Sequence, residues 1–247
     1  FMHGGMDRPD QLDYRPAVHD SEGLQMLNGQ GERLWRPLIN PQTLQVSAFI
    51  DENPKGFGLI QRHRDFNYYQ DLEAKYHQRP SAWVKPAGDW GKGQVELVEI
   101  PSASEENDNI VAYWKPADGL KKGEPFKFSY TLISPDDVPA DMNETRIVGS
   151  ASGLKLFDGN KEVLIDYSNI SSEDLDQIEV IASISQGKIM ESRIEANPHI
   201  NGARVFITFD AEDADVAELR VQLNKDDVNA APTWLYRWIS RDWNNSL

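Results

Sequence analysis

The sequence predicts an all-β protein, because strand-like segments recur along most of its length. Residues 44–50 (LQVSAFI) and 126–133 (FKFSYTLI) are rich in the β-branched and aromatic residues that favour strands. Turn-forming segments such as ENPKG and PAGDWGKG separate these runs. Helical periodicity is scarce, and its best example is residues 66–76 (FNYYQDLEAKY), where apolar side chains fall three and four positions apart.

The strand pattern changes along the chain and indicates two domains. Up to residue 133, further strand candidates at 93–100 (GQVELVEI) and 109–114 (NIVAYW) are joined by long, charged loops. Residues 134–145 (SPDDVPADMNET) hold two prolines and no apolar periodicity, so we predict a linker there. Residues 146–247 contain about seven short strand candidates spaced 8 to 12 residues apart, which is typical of a small immunoglobulin-like β-sandwich.

The net charge, the cysteine content and the length of apolar runs exclude several classes of function. The 247 residues carry a net charge of −15, which is the opposite of the basic balance that nucleic-acid binding needs. The acidity fits a neutral or cationic partner, or solubility alone. The absence of cysteine excludes disulfides, cysteine-ligated zinc and a thiol nucleophile. No run approaches the roughly 18 apolar residues of a membrane helix, so we predict no transmembrane segment.

The first residues, FMHGGMDRPD, lack the basic and apolar regions of a signal peptide. They begin with Phe and have the character of a domain interior, so we expect an N-terminal portion to be missing.

No motif for a metal or cofactor is present. The histidines show no HExxH or HxH spacing, and no glycine-rich phosphate loop occurs. Residues 149–153 (GSASG) resemble a nucleophile elbow only superficially, because the elbow needs a strand–turn–helix in an α/β sheet. We therefore expect neither metal nor cofactor.

Acidic residues interleaved with aromatic rings are the strongest functional pattern. Sugars present hydroxyl rims that carboxylates and guanidinium groups bind, and flat faces on which Trp and Tyr stack. Hydrolysis of a glycosidic bond needs one carboxylic acid and one carboxylate. The candidate catalytic acids are Asp65, Asp89, Asp20 and Asp71.

Each candidate acid also has a purely structural interpretation. Asp20 and Asp89 have the sequence context of tight turns. Asp65 is a potential salt-bridge partner of a neighbouring arginine, and Asp71 fits a solvated helix face. The sequence leaves both interpretations open.

Candidate substrate-binding residues surround these acids. Trp35 lies between two arginines, where it suits either a sugar platform or a cation–π packed surface. Asp65, Asp89, Trp83 and Trp90 are expected to line one shared trough. The full set of candidate binding residues is Trp35, Arg62, Arg64, Tyr68, Arg79, Trp83, Trp90 and His19.

Several long segments resemble one known family. YRPAVHDSEGL, ENPKGFGLIQRHRDF, YQDLEAKYHQRPSAWV, GDWGKGQVELVEIP and NDNIVAYWKP, within residues 14–116, are similar to the osmoregulated periplasmic glucan biosynthesis proteins of types G and D. Asp65 and Asp89 lie in the most distinctive of these segments. Type G often has Glu where this chain has Asp89, which leaves the type open.

The resemblance implies a periplasmic protein of glucan synthesis. Residues 1–133 then correspond to the C-terminal portion of a large β-sandwich with a carbohydrate groove, 134–145 to a linker and 146–247 to an immunoglobulin-like domain. It also implies activity on a β-1,2-glucan backbone, as an inverting endo-β-1,2-glucanase. On this comparison the missing N-terminal part could contribute one of the catalytic acids.

Two alternatives to this activity remain. The chain could bind glucan without cleaving it and assist a membrane-bound glucan synthase or a branching step. The acidic loops of the small domain (SSEDLDQIE and DAEDADVAE) could dock a basic partner, or simply be solvated.

Overall fold

The computed structural model describes residues 2–3, 14–135, 144–155 and 159–240. These residues form two compact units. The first contains the described residues of 1–31 and 38–139, and the second those of 32–37 and 140–245. Residues 136–143, within the predicted linker, lie outside the described residues. The predicted domain boundaries stay a prediction.

The described residues are mostly in β-strands, which confirms the predicted all-β class. In chain order the strands are β1 (Met2–His3), β2 (Ala17–Val18), β3 (Gly23–Leu27), β4 (Arg33–Pro37), β5 (Gln45–Glu52), β6 (Gly56–Ile60), β7 (Ala82–Ala87), β8 (Lys92–Glu99), β9 (Ile110–Pro116), β10 (Ser129–Ile133), β11 (Arg146–Leu154), β12 (Lys161–Ser168), β13 (Glu179–Ile184), β14 (Lys188–Asn197), β15 (Gly202–Asp210), β16 (Val216–Lys225), β17 (Val228–Asn229) and β18 (Thr233–Ile239).

Two antiparallel sheets organise the first unit. One has the order β10-β7-β6-β3, and the other the order β5-β8-β9. In the first sheet, Gly58 of β6 pairs with Trp83 of β7. A Cβ atom on Gly58 would lie 2.0 Å from the carbonyl oxygen of Ala82, so this close approach of two strands requires glycine.

The predicted helix at 66–76 is much shorter in the structure. Helix α1 covers only Phe66–Tyr69, and a separate 3₁₀ turn covers Tyr76–Gln78. Gln70 ends α1 in the left-handed conformation, with φ of 53°, and its amide donates to the Phe66 carbonyl. Leu72, which the helical pattern placed on the buried face, is 77% exposed. The pattern correctly predicted that Tyr69 and Tyr76 are buried. Two short helical turns, rather than one continuous helix, bury these two side chains.

The second unit is a sandwich of two sheets. The strand orders are β4-β18-β16-β13, with β17 beside β16, and β11-β12-β15-β14. Alternate side chains of the central strands are fully buried, as in Val163 and Ile165 of β12 and Ile207 of β15. Phe209 of one sheet and Trp238 of the other meet edge to face, with ring centroids 6.2 Å apart. Residues 149–153 lie within β11, so they form no nucleophile elbow.

Candidate functional site

A cleft of about 440 Å³ opens in the first unit. Its walls come from the residues after β2, the 3₁₀ turn and the start of β7, and the loop between β8 and β9. The charged and polar side chains at this cleft include Asp20, Tyr76, Arg79, Glu105, Asp108 and Asn109. The cleft therefore gathers acids, a cation and a phenol from segments far apart in sequence.

Buried Gln61 ties two walls of the cleft together. It follows β6 and is 0% exposed. Its side-chain amide donates to the His19 carbonyl at 2.8 Å and to the Tyr76 carbonyl at 3.3 Å, and its side-chain oxygen lies 3.0 Å from Nδ1 of His19. Because these bonds are buried, losing them would leave several polar groups unpaired, so the backbone next to Asp20 and at Tyr76 is held firmly.

Tyr76 and Arg79 are two of the polar residues that line the cleft. The Tyr76 hydroxyl donates to Oε2 of Glu105 at 3.1 Å, and burial together with the Glu105 carboxylate raises the pKa of Tyr76 to about 12. The Arg79 guanidinium lies 4.7 Å from the centre of the Tyr76 ring and 3.5 Å from Oδ2 of Asp20. Its side chain is 43% exposed, so it keeps donors available for a ligand.

The loop between β8 and β9 carries two cleft acids, Glu105 and Asp108. Its ends are fixed by amide side chains: Asn40 exchanges hydrogen bonds with the backbone of Ser102, and Asn109 donates to the Ile100 carbonyl at 3.1 Å. Asp108 is exposed beside buried Asn109. Its carboxylate makes no hydrogen bond or ion pair with any residue that the structure describes, so it is available to a ligand.

Of the four predicted catalytic acids, Asp20 alone lines the cleft. Asp65 caps α1 by accepting from the Asn67 amide at 2.8 Å, and Asp89 accepts from the Gly91 amide at 2.9 Å in a turn. Asp71 is 6% exposed and forms an ion pair with Arg15 at 2.7 Å. The predicted turn role fits Asp89. Asp65 instead serves as a helix cap, which differs from the predicted salt bridge, and Asp71 is buried rather than on a solvated helix face.

Some of the predicted binding residues line the cleft and others do not. Arg79 and His19 line the cleft, although His19 is only 3% exposed. Trp35 and Trp83 are 2% and 5% exposed, so neither ring is available as a sugar platform. None of Asp65, Asp89, Trp83 and Trp90 lines this cleft, so the structure does not bring the expected trough together there.

The remaining predicted residues make internal contacts. Arg64 donates to the Gln61 carbonyl at 2.9 Å, and Tyr68 stacks on His63 with ring centroids 4.1 Å apart. Trp90 is half-buried and donates to the Ser129 carbonyl at 3.1 Å. Arg62 binds a buried acid, Glu22, that the sequence did not single out.

Glu22 is a charged group held inside the first unit. Its carboxylate accepts from the Arg62 amide at 2.9 Å and from Arg62 Nε at 3.0 Å, and lies 2.7 Å from Nδ1 of His63. Burial alone would raise the pKa of Glu22, but the hydrogen bond from His63 and the charge of Arg62 outweigh it and hold the pKa far below its usual range. The cluster fixes the start of the segment 62–69.

In the described part of the chain, no three His, Asp or Glu side chains are grouped closely enough to bind a metal ion. No helix there has the length and apolar character needed to cross a bilayer.

Comparison with known proteins identifies the family. The model of the family described as "Periplasmic glucan biosynthesis protein, MdoG" matches residues 1–238. The chain belongs to this family. The predicted family resemblance and the predicted periplasmic localisation are thereby confirmed.

Curated members of the glucan biosynthesis family are similar over nearly the whole chain. Glucans biosynthesis protein G 2 of Shewanella oneidensis is 61% identical over 243 residues, which are 98% of this chain and 46% of the relative. Glucans biosynthesis protein G of Vibrio cholerae is 45% identical over 96% of this chain and 44% of its own length. The chain thus spans a little under half the length of these relatives.

Proposed function

We propose that the cleft binds a β-1,2-glucan backbone and cleaves it as an inverting endo-glucanase. The observation that carries this proposal is the convergence of the Asp20 and Asp108 carboxylates with Arg79 and Tyr76 in one cleft, in a chain of the periplasmic glucan biosynthesis family. A neutral polysaccharide suits this cleft, because Arg79 can donate to hydroxyl groups and the acids can accept from them.

The proposed reaction needs one carboxylate as general base and one carboxylic acid as general acid. The Arg79 cation beside Asp20 suits a carboxylate that acts in its charged form, so we assign Asp20 as the general base. Asp20 takes a proton from a water molecule, whose oxygen attacks the anomeric carbon. Asp108, as general acid, gives its proton to the bridging oxygen, which leaves with the electrons of the broken C–O bond.

This assignment has a geometric requirement. The two carboxyl groups of an inverting enzyme lie about 6.5–9.5 Å apart, because a water molecule must fit on the face of the sugar opposite the leaving group. A larger separation would require a proton relay through a further water or a sugar hydroxyl. Glu105 is less suited to proton transfer, because it already accepts from Tyr76 and pairs with Arg15.

The test is a reducing-end assay on linear β-1,2-glucan with the full-length gene product. We expect Asp20→Asn and Asp108→Asn each to lower kcat by about 10²–10⁴-fold, the usual contribution of a positioned acid or base. Asp65→Asn and Asp89→Asn are matched controls, since Asn also accepts at a helix cap or turn, and they should keep activity. Full activity in both cleft variants would place the chemistry elsewhere.

Binding without cleavage is the second candidate, and the ion pairs of Asp20 and Glu105 favour it. Both acids already face a guanidinium group, an arrangement that also suits purely accepting roles toward sugar hydroxyls. In this case the cleft would hold the growing chain for a membrane-bound synthase or a branching enzyme. Titration calorimetry showing tight binding, with the glucan intact after long incubation, would support this candidate.

A further inference from the structure

Asp71 is a buried acid whose contacts lead toward the cleft. Its carboxylate accepts from the Glu73 amide at 2.8 Å and the Ala74 amide at 2.6 Å. Burial would raise the pKa of Asp71, but the hydrogen bonds from Arg15 and from these amides outweigh it and lower the pKa. Asp71 is therefore a fixed, charged anchor in the segment that joins α1 to the 3₁₀ turn.

Arg15 connects this anchor to the cleft. Its Nη1 atom lies 2.7 Å from Oδ2 of Asp71 and 2.8 Å from Oε2 of Glu105. The side chains of Arg15 and Asp71 are only 17% and 8% exposed, so water screens this ion pair weakly, whereas the Glu105 side chain is 38% exposed. The same Glu105 oxygen accepts from the Tyr76 hydroxyl. One guanidinium group thus joins a buried acid to an acid on the cleft wall.

Glu105 lies in the middle of the loop that carries Asp108. The hydrogen bonds of Asn40 and Asn109 hold the two ends of this loop. The contacts of Glu105 with Arg15 and Tyr76 hold its middle. Because Asp108 follows Glu105 by only three residues, release of Glu105 would give the Asp108 backbone more freedom.

We propose that Asp71 is a positioning residue that acts through Arg15 on Glu105 and thereby holds Asp108 in the cleft. Its effect on catalysis rests on the function proposed above, whereas its effect on the order of the loop does not. The charge of Asp71 affects Glu105 although the two acids do not touch, because both carboxylates bind the same guanidinium group. Asp71 sets the position of the Arg15 side chain, and the Arg15 side chain sets the position of Glu105.

Asp71→Asn is the informative variant, because Asn keeps an oxygen for the Glu73 and Ala74 amides but removes the charge. In the full-length gene product we expect amide hydrogen exchange in residues 103–108 to become about 5-fold or more faster, since the loop loses its middle anchor. On linear β-1,2-glucan we expect kcat to fall by about 10-fold with KM changed by less than about 2-fold, because positioning rather than binding is lost.

The variants at Arg15 test whether the effect passes through this residue. Arg15→Met should reproduce the change in loop exchange, and Asp71→Asn added to it should produce no further change, because residues acting through one shared partner are non-additive. Arg15→Lys should restore only part of the order, since an ammonium group cannot reproduce the guanidinium fork. Asp65→Asn is the control, because Asp65 is a nearby acid that caps the start of α1.

The outcomes separate this inference from the proposed function. Faster loop exchange together with a lower kcat supports the inference. Unchanged exchange in folded Asp71→Asn overturns it, whatever the activity, and so does faster exchange with unchanged kcat. If the parent protein cleaves no glucan, the proposed function fails, and loop exchange alone then decides whether Asp71 holds the loop.

Discussion

Individual buried charges in the first unit are stabilised by specific partners. Glu22 is 7% exposed, and Arg62 and His63 surround its carboxylate with donors. Asp71 receives two backbone amides and the Arg15 cation. Removing one partner of such a group costs far more than an exposed ion pair contributes, because the remaining charge is left buried and uncompensated. These acids therefore matter for folding even though they do not line the cleft themselves.

Glu22 makes stability depend on pH with a definite sign. Its folded-state pKa lies below the unfolded value, so its stabilisation is complete above about pH 5 and is lost progressively as the pH falls. We expect Glu22→Gln to lower the free energy of unfolding by about 3 kcal/mol at pH 7 and by much less at pH 3. Urea titrations of parent and variant at both pH values measure this difference.

The control for Glu22 is Glu124→Gln, because Glu124 is exposed. This variant should follow the parent at both pH values. Parallel stability curves for the parent and Glu22→Gln between pH 7 and pH 3 would contradict the assigned role of the Glu22 charge.

Local sequence patterns located some site residues and missed others for a physical reason. Asp65 and Asp89 stood in distinctive segments, but their carboxylates serve a cap and a turn. Glu105 and Asp108 belong to SASEENDN, which has the composition of an ordinary solvated loop. Asp108 also lies in NDNIVAYWKP, a segment that resembles the family, but it is not among the predicted catalytic acids. Glu105 contacts Tyr76 and Arg15, and no local sequence pattern encodes contacts between residues so far apart in the chain.

At the scale of elements, the position of strands was predictable and the end of the helix was not. The predicted segments 93–100 and 109–114 correspond to β8 and β9 with shifts of one or two residues. Strand propensity and alternation carry this information locally. The end of α1 depends on Gln70 adopting positive φ, which Gln does not favour intrinsically, so its tertiary surroundings decide it.

The pairing of β6 with β7 depends on Gly58. We expect Gly58→Ala to lower the free energy of unfolding by about 1–3 kcal/mol or more, because the added methyl group would overlap the backbone of Ala82 and Trp83. Gly119→Ala is the matched control, since nothing lies within 4 Å of the added atom, and it should stay near the parent. Denaturant titrations compare the three proteins. Equal stability of Gly58→Ala and parent would contradict the close approach of the two strands.

At the scale of the whole chain, the composition argues against one class of partner but does not distinguish between the others. A net charge of −15 argues against nucleic acid, and it fits a neutral glucan as well as a cationic partner. The family match indicates glucan biosynthesis, and the chain spans under half of its relatives' length. A measurement that responds to the charge of the ligand therefore distinguishes the remaining partners.

Salt dependence supplies that measurement. For linear β-1,2-glucan and the full-length Asp108→Asn variant, which should leave the ligand intact, we expect Kd to change by less than about 2-fold between roughly 50 and 500 mM NaCl, because a neutral ligand has no charge to screen. A cationic polymer should instead bind about 10-fold or more weakly at the higher salt concentration, since salt screens its attraction to the acidic protein. Strong salt dependence of glucan binding itself would contradict a cleft that recognises hydroxyl groups through short hydrogen bonds.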